Sequence, residues 1–158
     1  MSIHLVLVHH GEAVPEETDP LRPLTPTGRA DIESLGEFLA SSGVEIPRIV
    51  HSGKLRAADS AQILADKLGG AVPVEAMERI SPKDTPVWLT EEVMQWNEGA
   101  LIVSHTPFLS RFVSRLLFGG EQPYVLQFTP GTAACLARRP ASKAWTLDWI
   151  LRPTLLRR

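Results

Sequence analysis

A chain of 158 residues with 44% apolar and 22% charged side chains matches an ordinary globular protein large enough to bury a real core. A formal net charge of −2 argues against general nucleic-acid binding, and no apolar run approaches the length needed to span a membrane. Cys135 is the only cysteine, so an internal disulfide is impossible and nothing points to an oxidising compartment. One domain over residues 1–158, cytoplasmic and without a signal segment, is the expectation.

Ile3-His4-Leu5-Val6-Leu7-Val8 has the β-branched, apolar character of a buried strand and ends in His9-His10-Gly11. An irregular stretch, Glu12 to Pro23, leads to Thr25-Pro26, read as a cap and a first-turn proline that open a helix. Ile32, Leu35, Phe38 and Leu39 form that helix's apolar stripe, and Ser41-Ser42-Gly43 closes it. Ile46 to His51 is predicted as a second strand, again finishing in polar residues. The helix after it is predicted over Leu55–Leu68, with Ala57, Ala61, Leu64, Ala65 and Leu68 inward and Gly69-Gly70 as its stop.

Val72-Pro73-Val74 reads as a weak edge strand, since proline cannot donate to a ladder. Asp84-Thr85-Pro86 is taken as a cap opening a helix through Val87, Leu89, Val93 and Trp96. Ala100-Leu101-Ile102-Val103 is a buried strand ending in Ser104-His105-Thr106-Pro107, followed by a helix over Phe108–Leu117. Thr132–Ala137 and Trp145–Leu151 read as an antiparallel edge pair joined by a turn containing Pro140. Strand–helix alternation with a terminal hairpin predicts an α/β fold: a three-layer α/β/α sandwich with a mainly parallel central sheet and a C-terminal antiparallel strand pair. No repeat, dinucleotide fingerprint or P-loop is present.

Three predicted parallel strands end in His9-His10, His51-Ser52 and Ser104-His105, and the carboxyl ends of parallel strands share one edge. Arg56 follows the second strand near a helix N-terminus, which itself favours an anion, and Arg22 sits in the loop over the same edge. Imidazoles, guanidiniums and few carboxylates make a phosphate site with a histidine nucleophile.

These residues resemble the histidine phosphatase superfamily (phosphoglycerate mutase-like). His9-His10-Gly11 resembles its Arg-His-Gly signature, and Arg22-Pro23-Leu24-Thr25 with Gly28, Ser52 with Arg56-Ala57, and Ser104-His105 follow in the family's order over nearly the whole chain. The small size and the Arg-Pro-Leu-Thr element are most similar to SixA-type phosphohistidine phosphatases. The resemblance implies His10 as nucleophile, His105 as the second imidazole stabilising the transferring phosphate, Arg56 as its forked donor and Arg22 as added positive charge. It implies no metal and no cofactor, and a phosphohistidine-bearing protein, such as a phosphotransfer domain, as partner. Phosphoryl transfer needs in-line positioning and neutralised oxygens, which such a set supplies.

The sequence departs from the pattern at His9, where the family carries arginine, and at Gly53, where it commonly carries proline. Losing a charge-assisted contact to the phosphate is worth on the order of 10²-fold in rate, and a protonated His9 would restore part of it at mildly acidic pH. Glu78 and Asp84 are the two candidates for a proton donor. His4 is read as a core histidine with a hydrogen-bond partner, and His51 as structural. Glu12 is open between orienting the site and lying in solvent, and Trp88, Trp96, Trp145 and Trp149 are read as packing residues, with Trp88 able to border the cleft. Competing readings are a phosphate- or phosphoprotein-binding domain weakened by His9, a small-molecule phosphomonoesterase, and a metallohydrolase using His9, His10 and His105. The last lacks the spacing of known zinc motifs.

Overall fold

Successive side chains on a strand point to opposite faces, so the unbroken apolar run of Ile3–Val8 requires cover on both sides. The computed structural model, which describes residues 1–157, provides it. The elements run β1 (Ile3–His9), α1 (Pro26–Ser42), β2 (Ile49–His51), α2 (Leu55–Lys67), β3 (Val74–Ala76), α3 (Val87–Glu92), β4 (Ala100–Ser104), α4 (Phe108–Phe118), β5 (Ala133–Arg138) and β6 (Thr146–Leu151). The six strands form one sheet of order β3-β2-β4-β1-β5-β6. β3, β2, β4 and β1 are mutually parallel, and β5 pairs antiparallel with both β1 and β6.

On one face Leu5, Leu7, Val50 and Ile102 pack with Leu89 of α3 and with Phe108 and Phe112 of α4. On the other, Val6, Val8, Ile49, Leu101 and Val103 pack with Ile32, Leu35 and Leu39 of α1 and Ala57, Ala61 and Leu64 of α2. This is the expected α/β/α sandwich. The chain leaves β1 toward β2 on one side and leaves β4 toward β5 on the other. A crevice therefore opens between the carboxyl ends of the adjacent strands β1 and β4, where the connections diverge.

Helix α1 begins as its sequence dictates: the Thr25 hydroxyl accepts from the Gly28 N–H at 3.0 Å, with Pro26 in the first turn. Gly28 does a second job. A Cβ there would lie 2.1 Å from the Glu12 carbonyl oxygen, so the helix start and the loop after β1 touch backbone to backbone. Gly28→Ala is expected to lower unfolding stability by about 3 kcal/mol, because the clash can be relieved only by moving backbone; urea denaturation reads it directly.

Several local expectations are corrected. β2 is three residues, not six, because Pro47 cannot donate to a ladder. β3 lies at Val74–Ala76, and Pro73 contributes only its carbonyl, which accepts from Ile49 N–H at 2.9 Å. The third helix stops at Glu92, passes through a 3₁₀ turn over Val93–Gln95, and leaves Trp96 extended. At its start Thr85 Oγ1 accepts from Val87 N–H at 3.3 Å with Pro86 between them, while Asp84 accepts from Ser81 N–H at 2.9 Å. Phe38 is exposed, at the margin of the stripe that Ile32, Leu35 and Leu39 define. His4 is half-buried rather than core, and its Nε2 lies 4.0 Å from the Asp148 carboxylate. No helix among the described residues is long and apolar enough to cross a membrane.

Candidate active site

The carboxyl end of β1 places His9 and His10 side by side, with ring centroids 4.4 Å apart. The end of β4 delivers His105, whose ring centroid is 5.0 Å from that of His10. The loop after β2 and the first turn of α2 bring Ser52 and Arg56 to the same place: Arg56 Nε donates to His10 Nε2 at 3.3 Å, and Ser52 Oγ lies 2.6 Å from His105 Nε2. All three imidazoles are buried, at 7%, 4% and 1% exposure in chain order.

The hydrogen bonds assign the tautomers. A carbonyl oxygen can only accept, so His10 Nδ1 donates to the Gly11 carbonyl at 2.7 Å and leaves Nε2 with its lone pair. That lone pair is a nucleophile, and it meets Arg56, a group able to hold an anion beside it. His9 Nδ1 likewise donates to the Phe128 carbonyl at 2.9 Å, so in neutral His9 the remaining nitrogen is an acceptor. An acceptor does nothing for a phosphate oxygen.

The charge states follow from burial. Desolvation, then the neighbouring His9, push His10 down to about 3, against the Gly11 carbonyl. Desolvation takes His9 to about 4, partly opposed by the Phe128 carbonyl. His105 falls to about 2, through desolvation and then the charge of His10. Burial thus opposes the protonation of His9 that is expected at mildly acidic pH. Each value would rise around a bound phosphate dianion, because opposite charge favours the protonated ring.

The same burial sets acid stability. Below an unfolded-state value near 6.5 the unfolded chain takes up protons that the folded histidines refuse, so stability falls as pH falls. Three such groups give a slope of up to about 4 kcal/mol per pH unit between pH 6 and pH 4. Cooperative unfolding is expected near pH 4–5 by circular dichroism, and saturating phosphate is expected to move the midpoint to lower pH. A chain that stays folded at pH 3 would overturn this account of the site.

The remaining predicted residues separate. Arg22 adopts a left-handed backbone (φ 49°), a conformation that L residues rarely take, and donates from Nε to the Val14 carbonyl at 3.1 Å. Its charge is felt at His9, His10 and Arg56, so it belongs to the same electrostatic neighbourhood, where Glu16 acts on Arg56 in the opposite sense. Asp84 is occupied in holding its own turn, and Glu78 is exposed on the loop after β3. Glu12 accepts from the Thr25 hydroxyl at 2.7 Å, which ties the loop to α1. His51 Nδ1 accepts from Gly53 N–H at 3.1 Å, a structural role. Gly53 itself has φ +88°, which proline cannot adopt, so this loop follows a path closed to the family's usual residue.

Two residues were not given roles by sequence reasoning. Ser52 belongs to the motif that ends in Arg56-Ala57, but its contact with His105 is visible only once β2 and β4 are adjacent. Ser60 accepts from Gly11 N–H at 3.0 Å and donates to the Arg56 carbonyl at 2.7 Å, joining the loop after His10 to the helix that carries Arg56. Its only sequence signal is a lone polar residue on the inward face of α2. Trp88, considered as a cleft residue, donates from Nε1 to the Arg79 carbonyl at 2.9 Å.

Comparison with known proteins bears on family and fold. The pattern of the histidine phosphatase superfamily (branch 1) matches residues 5–95. The chain is 34% identical over 106 residues to the mitochondrial serine/threonine-protein phosphatase PGAM5 of Rattus norvegicus, covering 63% of this chain but only 37% of that protein. It is 27% identical over 161 residues to the phosphohistidine phosphatase SixA of Escherichia coli (strain K12), covering 98% of this chain and 97% of the relative. The solved structure of a protein histidine phosphatase SixA complexed with tungstate superposes with a TM-score of 0.85, covering 98% of this chain and all of that one at 23% identity.

Proposed function

The chain belongs to the histidine phosphatase superfamily, and from that premise we propose that it is a metal-independent phosphatase that removes phosphate from phosphohistidine on a protein. The observation that carries the reading is the meeting of an unprotonated His10 Nε2 with His105 and the Arg56 guanidinium at one sheet edge. His10 Nε2 attacks phosphorus in line as the bond from phosphorus to the substrate imidazole breaks, and the departing ring takes a proton. Water then displaces His10, releasing inorganic phosphate. Arg56 binds the oxygens throughout, with Arg22 adding long-range positive charge and His105 as the second imidazole.

Two features support phosphohistidine over an alcohol ester. An imidazole leaves far more readily than an alkoxide, so no strong general acid is needed, and Asp84 is occupied in accepting from Ser81 N–H. The edge is also uncapped, since only residues 10–25 lie between β1 and α1, which suits a phosphoryl group displayed on a protein surface. The full-length kinship with SixA points the same way. The test is trapping in the presence of chelator. A phosphohistidine protein labelled with ³²P should transfer acid-labile, alkali-stable label to this chain and be turned over faster than a phosphoserine peptide. Faster turnover of the phosphoserine peptide would overturn the substrate class.

A second reading, a phosphoprotein-binding domain with weakened catalysis, rests on His9. Its acceptor nitrogen stands where the family places a permanent forked cation. His9→Arg is expected to raise turnover on the order of 10²-fold. Unchanged turnover would show that this position does not limit the rate.

A further inference from the structure

We propose that His4, Cys135 and Asp148 bind one thiophilic divalent cation of the zinc class. The three lie on β1, β5 and β6, about 20 Å along the strand from His10. One donor atom from each, an imidazole nitrogen, the thiol sulfur and a carboxylate oxygen, lies within 4.8 Å of the other two. The β5–β6 register explains the convergence. Cys135 pairs with Trp149 and Leu136 with Leu147, so Asp148 falls in an irregularity of the ladder. Such a bulge turns a side chain out of the regular alternation.

The donor set is that of a zinc site, with sulfur at about 2.3 Å and nitrogen or oxygen at about 2.0–2.2 Å from the metal. Closing from the observed spacing to these bonds requires the half-buried His4 and exposed Asp148 side chains to move inward, while Cys135 stays in place. Without a cation their pairing is poor, since His4 Nε2 and the Asp148 carboxylate are 4.0 Å apart, beyond a hydrogen bond. On binding, the Cys135 S–H bond breaks, a metal–sulfur bond forms and the proton leaves to solvent. Thiolate and carboxylate then neutralise the dication.

Titration with Co²⁺ alone tests this. One equivalent should bind with a thiolate-to-cobalt charge-transfer absorption, Zn²⁺ should displace it, and His4→Gln and Asp148→Asn should each weaken binding at least about tenfold. Cys135→Ser should abolish the band; because Cys135 is fully buried, the His4 and Asp148 variants keep the test independent of that variant's folding. Absence of binding, binding without the band, or binding lost on His10→Ala but kept in both other variants would each overturn the proposal. Phosphatase activity measured in chelator should be the same in Asp148→Asn and wild type, which separates this site from the catalytic one.

Discussion

His10→Ala is expected to reduce phosphohistidine hydrolysis at least about 10⁴-fold and to eliminate the labelled phosphoenzyme. The size follows from removing the atom to which phosphorus becomes bonded: His9 keeps a lone pair on its second nitrogen, but it is His10 Nε2 that the Arg56 guanidinium meets. Nε2 of His105 is engaged with Ser52. The backbone of residue 10 is untouched by the change, its N–H donating to the Ser104 carbonyl at 3.2 Å and its carbonyl accepting from Gly131 at 3.0 Å. The variant should therefore fold, which its thermal transition will confirm. Label retained on the variant would place the nucleophile elsewhere and overturn the mechanism.

Arg56→Ala carries the second-largest effect, a loss of about 10²–10³-fold in kcat/KM. Arg56 approaches the nucleophile itself, and a forked guanidinium can hold two phosphate oxygens where a lysine holds one. Arg56→Lys is thus expected to recover only part of the loss, and tungstate binding measured by calorimetry should weaken in both variants. Ser60 holds the Arg56 carbonyl and Gly11 together, so the arginine's placement is fixed from its own backbone as well as by charge. Wild-type tungstate affinity in Arg56→Ala would remove Arg56 from the phosphate site.

Most of the fold was legible because its signals are local. An apolar run such as Leu5–Val8 must be covered on both faces, and Thr25-Pro26 opens a helix in almost any context. Boundaries failed where tertiary partners decide them. β2 lost its first half at Pro47, and the third helix ended in a 3₁₀ turn before Trp96. His4 is half-buried and not core because alternation along β1 says which face a residue takes, not how far the covering layer extends over it.

The candidate site divides the same way. His10, His105, Arg56 and Arg22 could be named in order because phosphate chemistry demands particular residue types, and strand ends in a parallel sheet share an edge. The sequence by itself determined which groups this chain brings to the carboxyl edge of its sheet, and that one of them, His9, is a histidine in an arginine's position. Only the tertiary structure decided what those groups do. A carbonyl from a loop more than a hundred residues away assigns the His9 tautomer, and burial holds that ring neutral where solvent would let it take a proton. Charge state and tautomer depend on desolvation and on long-range hydrogen bonds, and neither is written in the order of the residues.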